Sequence, residues 1–256
     1  MGFFDFFKKQ NNNSKSSIKN TNISSKLNSE QVSLKKKTLS LRKEQFTVCL
    51  SKKNFNNIVA KVAIVLDKSG SMDWLYNNGT VQEVVERVLP IGIKFDDNAT
   101  LDVWTFNEYA DRMDEVTEDD FYDYVNEKIL TKTAIRGGTC YAPIINDIVK
   151  KYTQEEPSKV PAYIIFITDG DNSDKNETTE AITKASKYNI FFQFIGIGNE
   201  DFEYLKKLDE MEGRFIDNAN FFEANDISKY KDEELYDRLM SEFPSWYHLA
   251  KEKGLV

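Results

Sequence analysis

Histidine, cysteine and long apolar runs are what this 256-residue chain has least of. Its two cysteines, Cys49 and Cys140, are too few for a disulfide framework, so a reducing cytoplasm is the default compartment. Cys140 has no Cys/His partner pattern around it and reads as a buried helix residue. The one histidine, His248, falls beside Trp246 and Tyr247 in a late helical stretch and reads as structural. No apolar run approaches the roughly 18 residues that span a membrane. The opening "MGFFDFFKK" lacks a basic stretch followed by a long apolar one, so it does not read as a secretory signal. The third glycine of a dinucleotide fingerprint is missing from "FIGIGNEDF", whose glycines read as turn residues. No internal repeat is visible.

Charge is divided unevenly. Residues 1–44 hold ten Lys/Arg and three Asp/Glu, and the remainder holds 24 and 39. An acidic body attracts cations and repels nucleic acid, which excludes DNA or RNA as its partner. The basic start is a separate object. Residues 1–9 set Phe3, Phe4, Phe6 and Phe7 beside Lys8 and Lys9. Such a short aromatic and basic peptide suits peripheral contact with a membrane face, or docking on a partner. Gly2 is not an acylation site by pattern, because Phe6 stands where Ser or Thr is favoured. Residues 10–31, rich in Asn, Ser and Lys, lack the apolar side chains to offset ordering entropy and read as a flexible linker. Residues 32–54 mix β-branched and apolar residues with charges, and read as an arm or edge strand on the domain behind them.

From residue 57 strands and helices alternate. "IVAKVAIVLD", "ATLDVWTFN", "AYIIFITD" and "IFFQFIGIG" read as strands, with "GRFIDNANFF" as a short one. "TVQEVVERVLPIGIKF" spaces Val81, Val84, Val85, Val88 and Leu89 as the core face of a helix, with Pro90 a kink or stop. "EDDFYDYVNEKIL" reads as a helix with acids in its first turn. So does "TCYAPIINDIVKKY", where Pro143 is tolerable near the start. "NETTEAITKASKYN" and "DFEYLKKLDEM" are further helices. A last helical stretch, broken at Pro244, closes the chain. The pattern predicts a doubly wound, mostly parallel α/β sheet flanked by helices, spanning residues 32–256 with a helical extension at its end.

Three short motifs then converge. "DKSGS" supplies Asp67, Ser69 and Ser71; "RGGTC" supplies Thr139; "TDG" supplies Asp169. Each lies where a strand or loop meets the sheet rim, the usual place for ligands in such folds. Singly, each residue is a plain strand-end or helix cap. Together they offer two carboxylates and three hydroxyls, the oxygen donors that small hard cations prefer. "TDGDNSD" adds Asp171 and Asp174, but the glycine and terminal Glu of an EF-hand loop are absent. These two acids read as solvating a loop or shaping a rim.

The order D-x-S-x-S, distant Thr, strand-end Asp-Gly resembles the metal-ion-dependent adhesion site of von Willebrand factor A (vWA) domains. The wider text of residues 66–107 looks like the TerF-like branch from bacterial tellurium-resistance and stress-response systems, over about residues 34–222. The resemblance implies that Ser69, Ser71 and Thr139 ligate a metal, Mg²⁺ or else Mn²⁺ or Ca²⁺. Asp67 and Asp169 would act directly or through water and hold the serines. It also implies an open position for an Asp or Glu of a protein partner, and no catalysis. Asp73 stands alone beside Trp74, so no second cation site is expected. A degenerate site that keeps these residues without metal stays open. So does a Mg²⁺-dependent phosphohydrolase, although Ser69 stands where a D-x-D motif has its second Asp.

Overall fold

A computed structural model describes residues 28–96 and 98–256. Six strands make up its sheet: β1 (Lys61–Asp67), β2 (Asp102–Phe106), β3 (Ala110–Arg112), β4 (Ala162–Thr168), β5 (Ile190–Ile197) and β6 (Ala219–Ala224). Their order is β3-β2-β1-β4-β5-β6. All neighbours run parallel except β2 and β3, which form an antiparallel edge. The helices are α1 (Ser29–Lys52), α2 (Asp73–Asn77), α3 (Thr80–Phe95), α4 (Ala142–Lys150), α5 (Lys175–Ala185), α6 (Glu203–Asp209), α7 (Asp232–Leu239) and α8 (Phe243–Glu252).

The central strands are apolar throughout because both faces are covered. Val62, Ile64 and Leu66 of β1 join Tyr163, Ile165 and Ile167 of β4 in a core shared with α1, α3, α7 and α8. Ala63, Val65, Ile164 and Phe166 point the other way, into a core shared with α4, α5 and α6. This is the doubly wound sheet expected from the sequence. The chain leaves β1 for β2 on one side and returns to β4 on the other. Such a reversal opens a crevice at the carboxyl ends of the two strands.

Four expectations need correction. Residues 32–54 are not an edge strand: Ser29–Lys52 form a 24-residue helix, whose first turn takes in residues 29–31 of the expected linker. Asn28 and Gln31 close a capping box, each backbone N–H bonding the other's side chain at 2.9 Å. Leu39, Phe46, Cys49 and Leu50 face inward while Leu34, Leu41 and Val48 face solvent. Pro90 does not stop α3, which runs on to Phe95.

The segment around residues 118–130 is not a regular helix but a 3-10 turn, Phe121–Asp123, followed by a π turn, Val125–Ile129. Gln82 is the cause. Its side chain accepts the Val125 N–H at 2.9 Å and donates to the Phe121 carbonyl at 2.7 Å, inserting into the bond an α-helix would make between them. Cys140 lies in the loop before α4 and is only half-buried. Residues 1–9 and most of the expected linker fall outside the described residues. No described helix is long and apolar enough to cross a membrane.

The packing of α1 gives a direct test. Phe46 is fully buried, with its ring centroid 5.4 Å from Phe95 and 5.2 Å from Tyr236. Phe46→Ala is expected to cost about 3–5 kcal/mol in urea denaturation. Val48→Ala, on the solvent face, is expected to stay within about 0.5 kcal/mol. Equal, small losses would mean that α1 is not part of the folded domain.

Candidate metal centre

β1 carries its apolar run to the carboxyl edge and ends in Asp67. The chain then passes Ser69 and one 3-10 turn, Gly70–Met72, before α2. Asp67 shapes this turn itself. Its Oδ1 accepts the Ser69 N–H at 2.7 Å, a local Asx-type contact. Its Oδ2 accepts the Thr168 hydroxyl, also at 2.7 Å. Ser69 Oγ lies 3.2 Å from Ser71 Oγ, and the Ser71 hydroxyl donates to Asp169 Oδ1 at 2.8 Å. Asp67, Ser69, Ser71 and Asp169 therefore form one connected cluster across the ends of β1 and β4.

Thr139 reaches the cluster through backbone. The Gly70 N–H donates to the Gly137 carbonyl at 3.1 Å, and the Arg136 N–H to the Lys68 carbonyl at 2.8 Å. The Ser173 N–H donates to the Thr139 carbonyl at 2.9 Å. The loop holding Thr139 is thus strapped to both strand ends. No hydrogen bond of the Thr139 hydroxyl is found among the described residues. Gly137 sits at φ +93°, and a Cβ there would collide with the Glu108 carboxylate. The positive φ calls for glycine, while the Glu108 carboxylate, at the end of an exposed side chain, could move aside.

Several residues that hold this arrangement were not singled out from the sequence. Glu108 Oε1 accepts the Gly138 N–H at 2.7 Å, and Asn107 binds both Arg136 and Cys140 through its side-chain amide and backbone carbonyl. Lys68 is buried, but its ammonium turns to Asp111 and Thr133, not into the cluster. Tyr141, fully buried, donates to Thr168 and to the Gly170 carbonyl. Asp174 does not merely solvate its loop. Its two oxygens accept the N–H groups of Tyr141 and Ala142 at 2.9 and 2.8 Å, capping α4 from across the crevice. Asp171 pairs with Lys175 at 2.6 Å. His248 is structural, its ring against Phe55 and Tyr247.

The electrostatics are those of a site short of positive charge. Asp67 is fully buried, and burial pushes its carboxyl up to about 6 despite the Ser69 and Thr168 hydrogen bonds and with help from nearby Asp169. Asp169 is raised too, first by burial, while the Ser71 bond opposes and Glu200 adds to the shift. Among the described residues no three His, Cys, Asp or Glu side chains group as metal ligands. Any cation here would need oxygen donors besides the carboxylates, and the hydroxyls of Ser69 and Ser71 lie in the cluster, with Thr139 on the loop strapped beside it. The residues fit a small hard divalent ion through oxygen alone.

The vWA domain found at the TerF C terminus has a family model that matches residues 59–256. That span omits α1 and takes in α7 and α8, unlike the residues 34–222 expected from the sequence. The uncharacterized protein YcbR of Bacillus subtilis (strain 168) is 46% identical over 211 residues, 82% of this chain and 86% of its own. The SpRpn10 VWA domain superposes with a TM-score of 0.54 at 13% identity, over 71% of this chain and 95% of that one. Proximal thread matrix protein 1 of the mussel byssus, with zinc in its MIDAS motif, gives 0.51 at 14% identity, over 72% of this chain. This chain spans 47% of the mussel protein's length, and at such identities the likeness is one of fold.

Asp67 generates a pH prediction. Its folded value lies above the ordinary 3.8, so in between the folded state holds a proton that the unfolded state has lost. The stability this proton carries is complete below the ordinary value and is lost as pH rises through about 6. In chelator, thermal melts of the wild type should lose on the order of 3 kcal/mol more than Asp67→Asn as pH is raised from about 4 to 7. Saturating Mg²⁺ should abolish the difference. Parallel pH profiles in chelator would contradict this account of Asp67.

Proposed function

This chain belongs to the TerF-like branch of the von Willebrand factor A domains, and from that premise we propose that it is a metal-dependent protein-binding module. The hydroxyls of Ser69, Ser71 and Thr139 would hold a divalent ion, Mg²⁺ before Mn²⁺ or Ca²⁺, with Asp67 and Asp169 beside it. The ion supplies a Lewis-acidic position for the Asp or Glu carboxylate of a partner protein. The observation that carries this reading is the connected Asp67–Ser69–Ser71–Asp169 cluster at the crevice between β1 and β4.

The donor set supports it in a second way. Two carboxylates are drawn out of water, and among the described residues no ion pair offsets them, the neighbouring Lys68 being engaged by Asp111 and Thr133. A divalent ion offsets two acids and still attracts a third. Ser71 is exposed and Thr139 half-exposed, whereas Asp67 and Ser69 are buried. The solvent side of the cluster is therefore hydroxyl, which leaves room for a foreign acid. The zinc in the mussel protein's MIDAS motif supports a divalent ion in this fold.

The biological setting in this proposal is a bacterial tellurium-resistance or stress-response system, inside the cell. The TerF description of the family supports it, and the Bacillus relative supports only the bacterial part. The module is proposed to be non-catalytic. A Mg²⁺-dependent phosphohydrolase draws less support. Ser69 replaces the second acid of D-x-D, and the nearby ammonium of Lys68 is held away from the cluster.

Calorimetric titration of the full chain with Mn²⁺ tests the reading. One ion should bind, and Thr139→Ala should weaken it at least tenfold. The ion-free melting temperature should hardly move, since the Thr139 hydroxyl has no described partner and a partly exposed change of this kind costs about 0.5 kcal/mol or less. Equal affinity in wild type, Thr139→Ala and Asp67→Ala would place any bound ion elsewhere and sink the assignment.

A further inference from the structure

We propose that residues 1–9 of the chain are themselves a ligand of this site, presenting the Asp5 carboxylate at the crevice between β1 and β4. The inference rests on the reading of the cluster as a metal centre open to a carboxylate. It is carried by where α1 begins, by the chemistry of the segment, and by the rim it would meet.

Helices α1 and α3 run side by side in the same direction. Lys35 pairs with Glu86 near their starts, and Phe46 packs on Phe95 further along. Asn28 lies seven residues before Lys35 and Thr80 six before Glu86, which at 1.5 Å per residue puts them level to within a few ångströms. The start of α3 is at the carboxyl edge, because its far end, Phe95, bonds Ala60 just ahead of β1. The described chain therefore begins at the same end of the domain as the metal site. The residues between Asp5 and Asn28 can span up to about 75 Å, beyond the radius of gyration of roughly 17 Å expected for a domain of this length.

Asp5 is the one acid in residues 1–29, and Phe3, Phe4, Phe6, Phe7, Lys8 and Lys9 surround it. The rim offers the complement. Asp73, Glu108 and Glu200 are exposed there, flanking Ser71, Gly137 and Gly170 respectively, and outnumber the exposed Arg136 beside Gly137. A ligand bearing only a carboxylate meets like charge at this rim, whereas one that adds lysines meets opposite charge. Trp74 and Tyr109, 55% and 73% exposed, give the phenylalanines aromatic surface on two sides of the site. Tethering makes the contact intramolecular, so even a weak one is populated. The consequence is a site held by its own chain until a stronger carboxylate displaces it.

The test uses a fluorescein-labelled peptide of residues 1–12 and full-length protein in Mn²⁺. Wild type, with its own segment competing, should bind the peptide at least tenfold more weakly than Asp5→Asn. That gain should vanish in chelator, in the double variant Asp5→Asn/Thr139→Ala, and for a peptide carrying Asp5→Asn. Equal peptide binding by wild type and Asp5→Asn, or binding that ignores chelator, overturns the proposal. So does a peptide that sediments with anionic vesicles yet ignores the protein. If Mn²⁺ titration still shows the ion at Thr139 in those cases, the metal centre stands and only the self-ligand falls. If it does not, both fall.

Discussion

The carboxylate of Asp67, carried out of water at the end of the central strand, is the constraint on which the rest of this structure turns. Burying such a group is costly unless its lone pairs are met and its charge is offset. Hydrogen bonding is arranged locally. The Ser69 N–H takes one oxygen and the Thr168 hydroxyl the other, while the Asp67 carbonyl accepts from Tyr76 at 2.9 Å. The first of these contacts folds the chain back so that Ser69 and Ser71 come within 3.2 Å of each other. Among the described residues no ion pair offsets its charge, and that deficit is what a bound divalent ion would meet.

The architecture around Asp67 reads as a set of supports for two neighbouring loops. The sheet order places β1 and β4 side by side at a reversal, so that Asp67 and Asp169 face one crevice. Asp174 caps α4 from the loop after β4, which fixes Tyr141 and with it the loop bearing Thr139. Asn107 and Glu108, just past β2, hold the back of that loop through its backbone. Three strand ends, those of β1, β2 and β4, thus contribute to one rim. The backbone of that rim is held by these bonds, and its exposed face carries the Ser71 hydroxyl.

Much of this was legible in the sequence, because it depends on local pattern. Continuous apolar runs ending in acids gave the parallel sheet and its carboxyl edge, and D-x-S-x-S gave a cluster that the hydrogen bonds connect. What stayed hidden depends on partners distant in sequence. Apolar pairs at 32/34, 39/41 and 46/48 mimic strand alternation in α1, yet one member of each pair turns inward and the other toward solvent. Residues 118–130 have the composition of a helix, but the Gln82 amide, far upstream, occupies a bond that helix would need. Asp174 reads as a solvated acid until the Tyr141 and Ala142 N–H groups it accepts are in place, and Glu108 carries no sequence signal for the Gly138 N–H it holds. Cys140 was read as core because its neighbours are helical, whereas its position just before the first turn leaves it half-buried.

The central claim is that hydroxyls, more than carboxylates, hold a divalent ion between β1 and β4. Crystals grown with Mn²⁺ and measured at the manganese absorption edge test it most directly. The account predicts one anomalous peak in direct contact with Ser69 Oγ and Ser71 Oγ, at the short distances of hard cations, about 2.0–2.3 Å. Asp67 and Asp169 should lie beside it and Thr139 should turn toward it. A peak on the exposed acids Asp171 or Glu200, or no peak within reach of the two serines at saturating Mn²⁺, would contradict it.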